Sequence, residues 1–229
     1  MSDLIKLDIA EGTAKLTLSN GKVNAFSHDM INQFQAALDE VESAKVPVVI
    51  TGQPGMFSGG FDLKVMQSGP ANAIALVTEG SKLTRRLLAF PTPVISACTG
   101  HAVAKGAFIL LCSDYRLGAE GAFKIGLNEV AIGITMHYAG IAMAKHGLTD
   151  SYVNRSLYLA EMFDPKGAVK AGFLDELLPA DAVIDSAMIR ADACKGLNMK
   201  AYVGTKLKAR EALLSQMDHA IEVDAKGTL

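Results

Sequence analysis

Pro93-Val94-Ile95-Ser96-Ala97-Cys98-Thr99-Gly100-His101-Ala102-Val103-Ala104-Lys105-Gly106-Ala107-Phe108 is the stretch that decides the fold. Pro93 to Cys98 is a short apolar run, the pattern of a strand buried on both faces, and it ends at Thr99-Gly100. Gly106 to Cys112 then reads as a short apolar helix. Between the two, Gly100 to Phe108 joins a buried strand to a helix start, where unpaired N–H groups and the helix dipole favour an anion. The same segment is also compatible with an ordinary tight turn, since glycine-rich turns after strands are common.

The pattern extends in both directions. Upstream, Leu4, Ile5, Leu7 and Ile9, then Ala14, Leu16 and Leu18, form two strand-like segments around Glu11-Gly12, which predicts a hairpin. Ser27 can cap a helix that has Asp29 in its first turn and Met30, Ile31, Phe34, Leu38 and Val41 at helical spacing up to Ala44. Pro47 to Thr51 is a second buried strand, Gln53 to Asp62 a glycine-rich loop and Ala71 to Ala89 a long helix. Downstream, Tyr115 to Gly118 is a strand. Helical patterns follow at Ile141 to Lys145, Tyr152 to Leu159, Pro165 to Ala171, Ala182 to Cys194 and Tyr202 to Ile221. Strands that arrive in pairs before each returning helix depart from strict βαβ alternation and predict an α/β fold wound as a stacked spiral of ββα units. The expected division is a spiral core over 1–180 and a helical region over 181–229, whose last helix is amphipathic enough to pack on its own core or on a neighbouring subunit.

Composition excludes several classes of function. The chain has 229 residues, half of them hydrophobic, enough for one substantial core. Lys and Arg total 22 against 24 Asp and Glu, a net charge of −2 without a long basic run, so no nucleic-acid footprint is present. Cys98, Cys112 and Cys194 are odd in number and lack metal-ligand spacing; Cys98 and Cys112 sit in apolar runs where thiols act as small hydrophobes. A reducing compartment and no metal site are expected. Met1 to Ala10 has neither a signal-peptide core nor a transit-peptide composition, no run approaches about 18 apolar residues, and Gly227-Thr228-Leu229 is no peroxisomal address. The expectation is a cytoplasmic protein without a membrane span.

The chemistry centres on Ile125-Gly126-Leu127-Asn128-Glu129-Val130. A carboxyl group among Ile, Leu and Val loses hydration, which disfavours its charged form and moves its pKa towards that of a working general base. A lone Glu at a strand end on the surface has the same local sequence. In Phe57-Ser58-Gly59-Gly60-Phe61-Asp62-Leu63, paired glycines after a strand permit a positive-φ turn that leaves N–H groups free to face a pocket. Two such donor loops facing one acid are what proton transfer beside a carbonyl requires. Ser58 lacks a G-x-S-x-G frame and reads as a turn residue. His101 and His137 are candidates for proton shuttles or for structural roles. Lys22, Lys64, Lys206 and Lys208 are candidates for phosphate contacts or for solvated surface. Met66, Met136 and Met143 suit a flexible pocket or the core.

Over nearly its whole length the chain resembles the crotonase family, the enoyl-CoA hydratase/isomerase superfamily. Lys22-Val23-Asn24-Ala25-Phe26 is similar to the family's Asn-Ala segment beside the CoA moiety. Phe57 to Leu63 is similar to its first oxyanion turn, Gly100 to Asp114 matches the second without a gap, and Glu129 falls where the family has a catalytic glutamate. The resemblance implies an acyl-CoA thioester as substrate and the backbone N–H groups of Phe61 and Lys105 on its oxygen. It also implies substrate contacts from Lys22, Asn24, Ala25 and Ser58, from Gly60, Asp62 and Leu63, and from Gly106 and Phe108. It calls for no cofactor besides the CoA of the substrate, and for a homotrimer or hexamer built through the C-terminal helices.

Two departures narrow the expectation. Hydratases of the family hold water with a second glutamate, and here that position is Phe108. Losing an acid–base partner typically costs about 10²–10⁴-fold. Cys112-Ser113-Asp114-Tyr115-Arg116 followed by Ile125 to Glu129 is instead similar to the mitochondrial-type Δ3,Δ2-enoyl-CoA isomerases, for which one base suffices. Hydration, another crotonase-type lyase or hydrolase reaction, and a catalytically idle acyl-CoA-binding oligomer are the alternatives. Lys105 is the second departure, standing where the family usually has glycine; a positive φ there would strain it by about 1 kcal/mol or more.

Overall fold

The computed structural model describes residues 3–227, so Met1, Ser2, Thr228 and Leu229, which enter the readings of both termini, lie outside it. The N-terminal hairpin forms as expected, β1 (Ile5–Ala10) antiparallel to β2 (Thr13–Leu18). α1 (His28–Ala44) begins where Ser27 accepts from the Met30 N–H at 3.2 Å and ends at Lys45 in the left-handed region. Its buried stripe is the one the spacing selects, from Met30 through Phe34 to Val41.

Two sheets organise the rest. One holds six strands in the order β1-β2-β3-β5-β7-β9, with β3 (Val48–Thr51), β5 (Val94–Cys98), β7 (Tyr115–Ala119) and β9 (Glu176–Leu178) all parallel to their neighbours. The other holds β4 (Gly55–Ser58), β6 (Gly100–Val103) and β8 (Ile125–Gly126), also parallel. Each turn of the chain gives one strand to the large sheet and the next to the small one, which is the paired-strand spiral expected from the sequence. α2 (Leu63–Gln67) and α3 (Pro70–Leu88) return the chain after β4, and α4 (Lys105–Leu111) returns it after β6. Phe26, Phe34, Phe57, Phe90 and Phe173 are fully buried between the layers. Burial pushes the Cys98 and Cys112 thiols up to about 12, as befits inert core residues.

α5 (Tyr138–Gly147), α6 (Asp150–Leu157), α7 (Pro165–Ala171) and α8 (Val183–Ala193) follow. α8 buries Val183, Ala187 and Ala191 against the large sheet. The single helix expected over Tyr202 to Ile221 is two, α9 (Met199–Ala209) and α10 (Glu211–Asp224). No Gly or Pro marks the break; the Arg210 side chain is held by the Leu88 carbonyl at 2.8 Å and by Asp114 at 3.1 Å, both distant in sequence. β4, β6, β8 and β9 also go beyond the sequence expectation: none exceeds four residues, too few to show a period, and only pairing across the fold makes them strands. α10 packs on α5 and α3, and Asp224 accepts from the Tyr138 and Ala139 N–H groups at 2.9 and 3.0 Å, satisfying the start of α5. Among the described residues, no helix is long and apolar enough to cross a membrane.

Candidate active site

The C-terminal ends of the three parallel strands of the small sheet deliver the three expected segments to one place, the usual location of sites on parallel sheets. β4 leads into Gly60-Phe61, β6 into Ala104-Lys105 and β8 towards Glu129. The first two loops touch: Gly60 has φ +105, and a Cβ there would lie 3.0 Å from Ala104 Cβ and 3.6 Å from the Lys105 nitrogen. Gly106 is required by a still closer approach, since its Cβ would stand 2.6 Å from the Ser58 carbonyl oxygen. The Ala104 N–H donates to the Gly126 carbonyl at 3.0 Å, joining the second loop to the third.

The backbone directions follow from pairing. The Phe26 N–H donates to Gly60 O at 2.8 Å and the Asp62 N–H to Phe26 O at 3.0 Å. Strand alternation therefore turns the intervening Phe61 N–H to the opposite side. The Lys105 N–H is the first of α4 and has no intrahelical acceptor. Among the described residues neither N–H finds a hydrogen-bond partner. Lys105 itself is helical and free of the strain that a positive φ would impose; the positive φ falls on Ala104 instead, at φ 50 and ψ −116. The strain of about 1–3 kcal/mol associated with such a conformation thus sits one residue before the donor.

Glu129 is only 8 % exposed, and its Oε2 has no hydrogen-bond partner among the described residues. Burial pushes its carboxyl up to about 7, against a small opposing effect of its own backbone N–H. The residue is rigidly placed, because its carbonyl accepts from Ile132 at 3.1 Å and Ile134 at 2.9 Å in the short helical turn Val130–Ile132. A buried carboxyl that titrates near neutrality and keeps one oxygen free is equipped to take up and return a proton.

Phe108 is buried and meets His137 edge-to-face with ring centres 5.6 Å apart. Met136 Sδ and His137 Cε1 close over Gly140 beside it. Burial first, opposed by the charge of Asp224 and helped to a lesser degree by Lys105, holds the His137 imidazole well below its usual range, so it is neutral at pH 7. His101 has a structural role: its Nδ1 accepts from the Lys124 N–H at 3.0 Å.

The remaining expected contacts separate into groups. Asn24 and Ser58 are fully buried. Asn24 Nδ2 donates to Phe57 O at 3.1 Å, its Oδ1 accepts from Asn20 N–H at 2.9 Å, and Ser58 Oγ donates to Asn24 O at 2.8 Å. Their polar atoms thus brace the loop against β4, so the side chains expected at the substrate are engaged within the protein. Asp62 caps α2 by accepting from the Lys64 N–H at 2.8 Å. Ala25 is half-buried, while Lys22, Leu63 and Lys64 are exposed. Lys206, one of the lysines considered for phosphate, is buried against Asp114 at 2.8 Å and is unavailable for that role. Gly80 of α3, against which both Phe61 and Lys105 pack, carried no sequence signal, because a glycine within a helical pattern says nothing of what approaches it.

Comparison with known proteins identifies the family. Residues 8–226 match the enoyl-CoA hydratase/isomerase family model. A crystal structure of an enoyl-CoA hydratase/isomerase family protein from Pseudomonas syringae is 53 % identical, covers 99 % of each chain and superposes with a TM-score of 0.98. A Mycobacterium tuberculosis structure described as an enoyl-CoA isomerase is 39 % identical over 99 % of each chain, with a TM-score of 0.94. The mouse mitochondrial enoyl-CoA delta isomerase 1 is 29 % identical over 97 % of this chain and 82 % of its own length. Proteins described as hydratases match as well. The chain belongs to the enoyl-CoA hydratase/isomerase family and has the crotonase fold.

Proposed function

We propose that the protein isomerises 3-enoyl-CoA thioesters to 2-enoyl-CoA thioesters. The observation that carries this reading is a buried carboxyl with an unpartnered oxygen, Glu129, combined with Phe108 at the position where the family's hydratases hold water with a second acid; the other buried carboxyl, Asp224, is engaged by the start of α5. The Glu129 carboxylate takes the proton from C2, and the electron pair spreads over C2 to C4 and onto the thioester oxygen. That oxygen accepts from the Phe61 and Lys105 N–H groups, an arrangement in which each donor is worth about 10²–10³ in kcat. The same carboxyl, now protonated, gives its proton to C4, so the double bond moves from C3–C4 to C2–C3 and the base is restored. No cofactor beyond the substrate's own CoA enters the balance. Lys22 and Lys64, both exposed, are assigned to the CoA phosphates. Gly60 and Gly106 supply close backbone approach, and Phe108 an apolar wall.

Phe108 can neither orient nor deprotonate water, and the neutral His137 beside it lacks a second carboxylate's charge. Separate assays with 3-enoyl-CoA and 2-enoyl-CoA test the reading. Double-bond migration should be rapid in the wild type and fall about 10²–10⁴-fold in Glu129→Gln, with water addition slow in both. Hydration as fast as migration would replace the isomerase with a hydratase. CoA binding without either reaction would leave an acyl-CoA-binding module.

A further inference from the structure

Gly80 lies within α3, on neither donor loop, yet the side chains of both donor residues converge on it. A Cβ at Gly80 would stand 2.5 Å from Phe61 Cζ and 3.3 Å from Lys105 Cε. Lys105 Nζ donates to the Gly80 carbonyl and lies 5.8 Å from the centre of the Phe61 ring; burial lowers the amine to about 7, and its charged and neutral forms can both make this hydrogen bond. Lys105 is 2 % exposed, so this amine is an interior group and no surface cation. Glycine in a helix interior is less stable than alanine by about 0.5–1 kcal/mol. α3 therefore gives up intrinsic stability at the one residue where a ring and an amine must come close.

Resting on the reading of the Phe61 and Lys105 N–H groups as oxyanion donors, we propose that Gly80 and the Lys105 side-chain amine are positioning groups. Through one shared contact, α3 sets where the two donors stand relative to each other. A glycine at position 105 would offer the N–H from the start of the seven-residue α4 alone, with no side-chain tie to α3. The lysine instead ties its own N–H, through its side chain, to a 19-residue helix that also backs the other donor. An error of about 1 Å in such a pair can reduce a rate about 10²-fold.

The experiment combines Gly80→Ala, Lys105→Met and the double variant, with kcat and KM for 3-enoyl-CoA and a crystal structure of each. Methionine keeps the buried volume of the lysine stem without the amine, so its fold is preserved where an alanine would leave a cavity. Each single variant should lose about 10–100-fold in kcat at nearly unchanged KM. The double variant should lose no more than the worse single, because both break the same contact. In the structures, the Phe61 and Lys105 nitrogens should move relative to each other. Multiplied losses in the double variant, a change confined to KM, or unmoved nitrogens in Gly80→Ala would overturn the proposal. A wild type that turns over neither enoyl-CoA would sink the isomerase reading alone, and the variant crystal structures would still decide the positioning.

Discussion

Glu129 concentrates the physics of the site in one side chain. Burial raises its pKa to about 7 from the ordinary 4.5, so the folded protein binds this proton more tightly than the unfolded chain does. Its contribution to stability is therefore greatest below about pH 4.5 and is lost as pH rises to 7. A shift of this size corresponds to about 3 kcal/mol. Glu129→Gln should match the wild type in urea unfolding at pH 4 and be more stable by about that amount at pH 8; equal stability at both would mean the carboxyl is solvated. The same titration gives an ascending limb in kcat/KM, about tenfold per pH unit below 7 and level above it. Activity is thus obtained where the carboxylate destabilises the fold most.

At the scale of elements, short strands and their loops do what no single residue does. Asp114 shows how far such ties reach. It accepts from the Val94 N–H at 2.8 Å, from Tyr202 Oη at 2.7 Å and from Lys206 Nζ at 2.8 Å, fastening α9 to the start of β5. Burial lowers the Lys206 pKa, and Asp114 opposes that. Asp114→Asn leaves Lys206 buried beside a neutral amide, and removal of one partner of a buried pair typically costs about 3–5 kcal/mol. A loss of that order in denaturant, with kcat/KM at 25 °C nearly unchanged, is expected; a loss below 1 kcal/mol would show the pair to be dispensable. The same tie explains why one helix was legible where there are two: Arg210 bends the chain through contacts with Leu88 and Asp114 that local periodicity does not contain. By contrast α1 was legible to within a residue, since its cap and apolar stripe are both local.

Over the whole molecule, the spiral stacks its strands in two sheets and leaves Ile189, Leu197 and Leu207 of the C-terminal region exposed. We propose that this region, over 181–229, assembles a homotrimer or a hexamer, and light scattering should return three or six times 24.2 kDa; a monomer or dimer mass refutes it. The sequence by itself determined the winding of strands and helices, the identity of the buried stripes and Glu129 as a carboxyl among apolar neighbours, because periodicity, capping and local composition are written locally, while Phe61 and Lys105 as donors follow from the resemblance to the crotonase family. Only the tertiary structure decided that the positive φ belongs to Ala104, that Asn24, Ser58 and Lys206 are engaged inside the protein, and that both donors lean on Gly80. Those are contacts between segments far apart in the chain, and their energies come from neighbours that no local pattern can name.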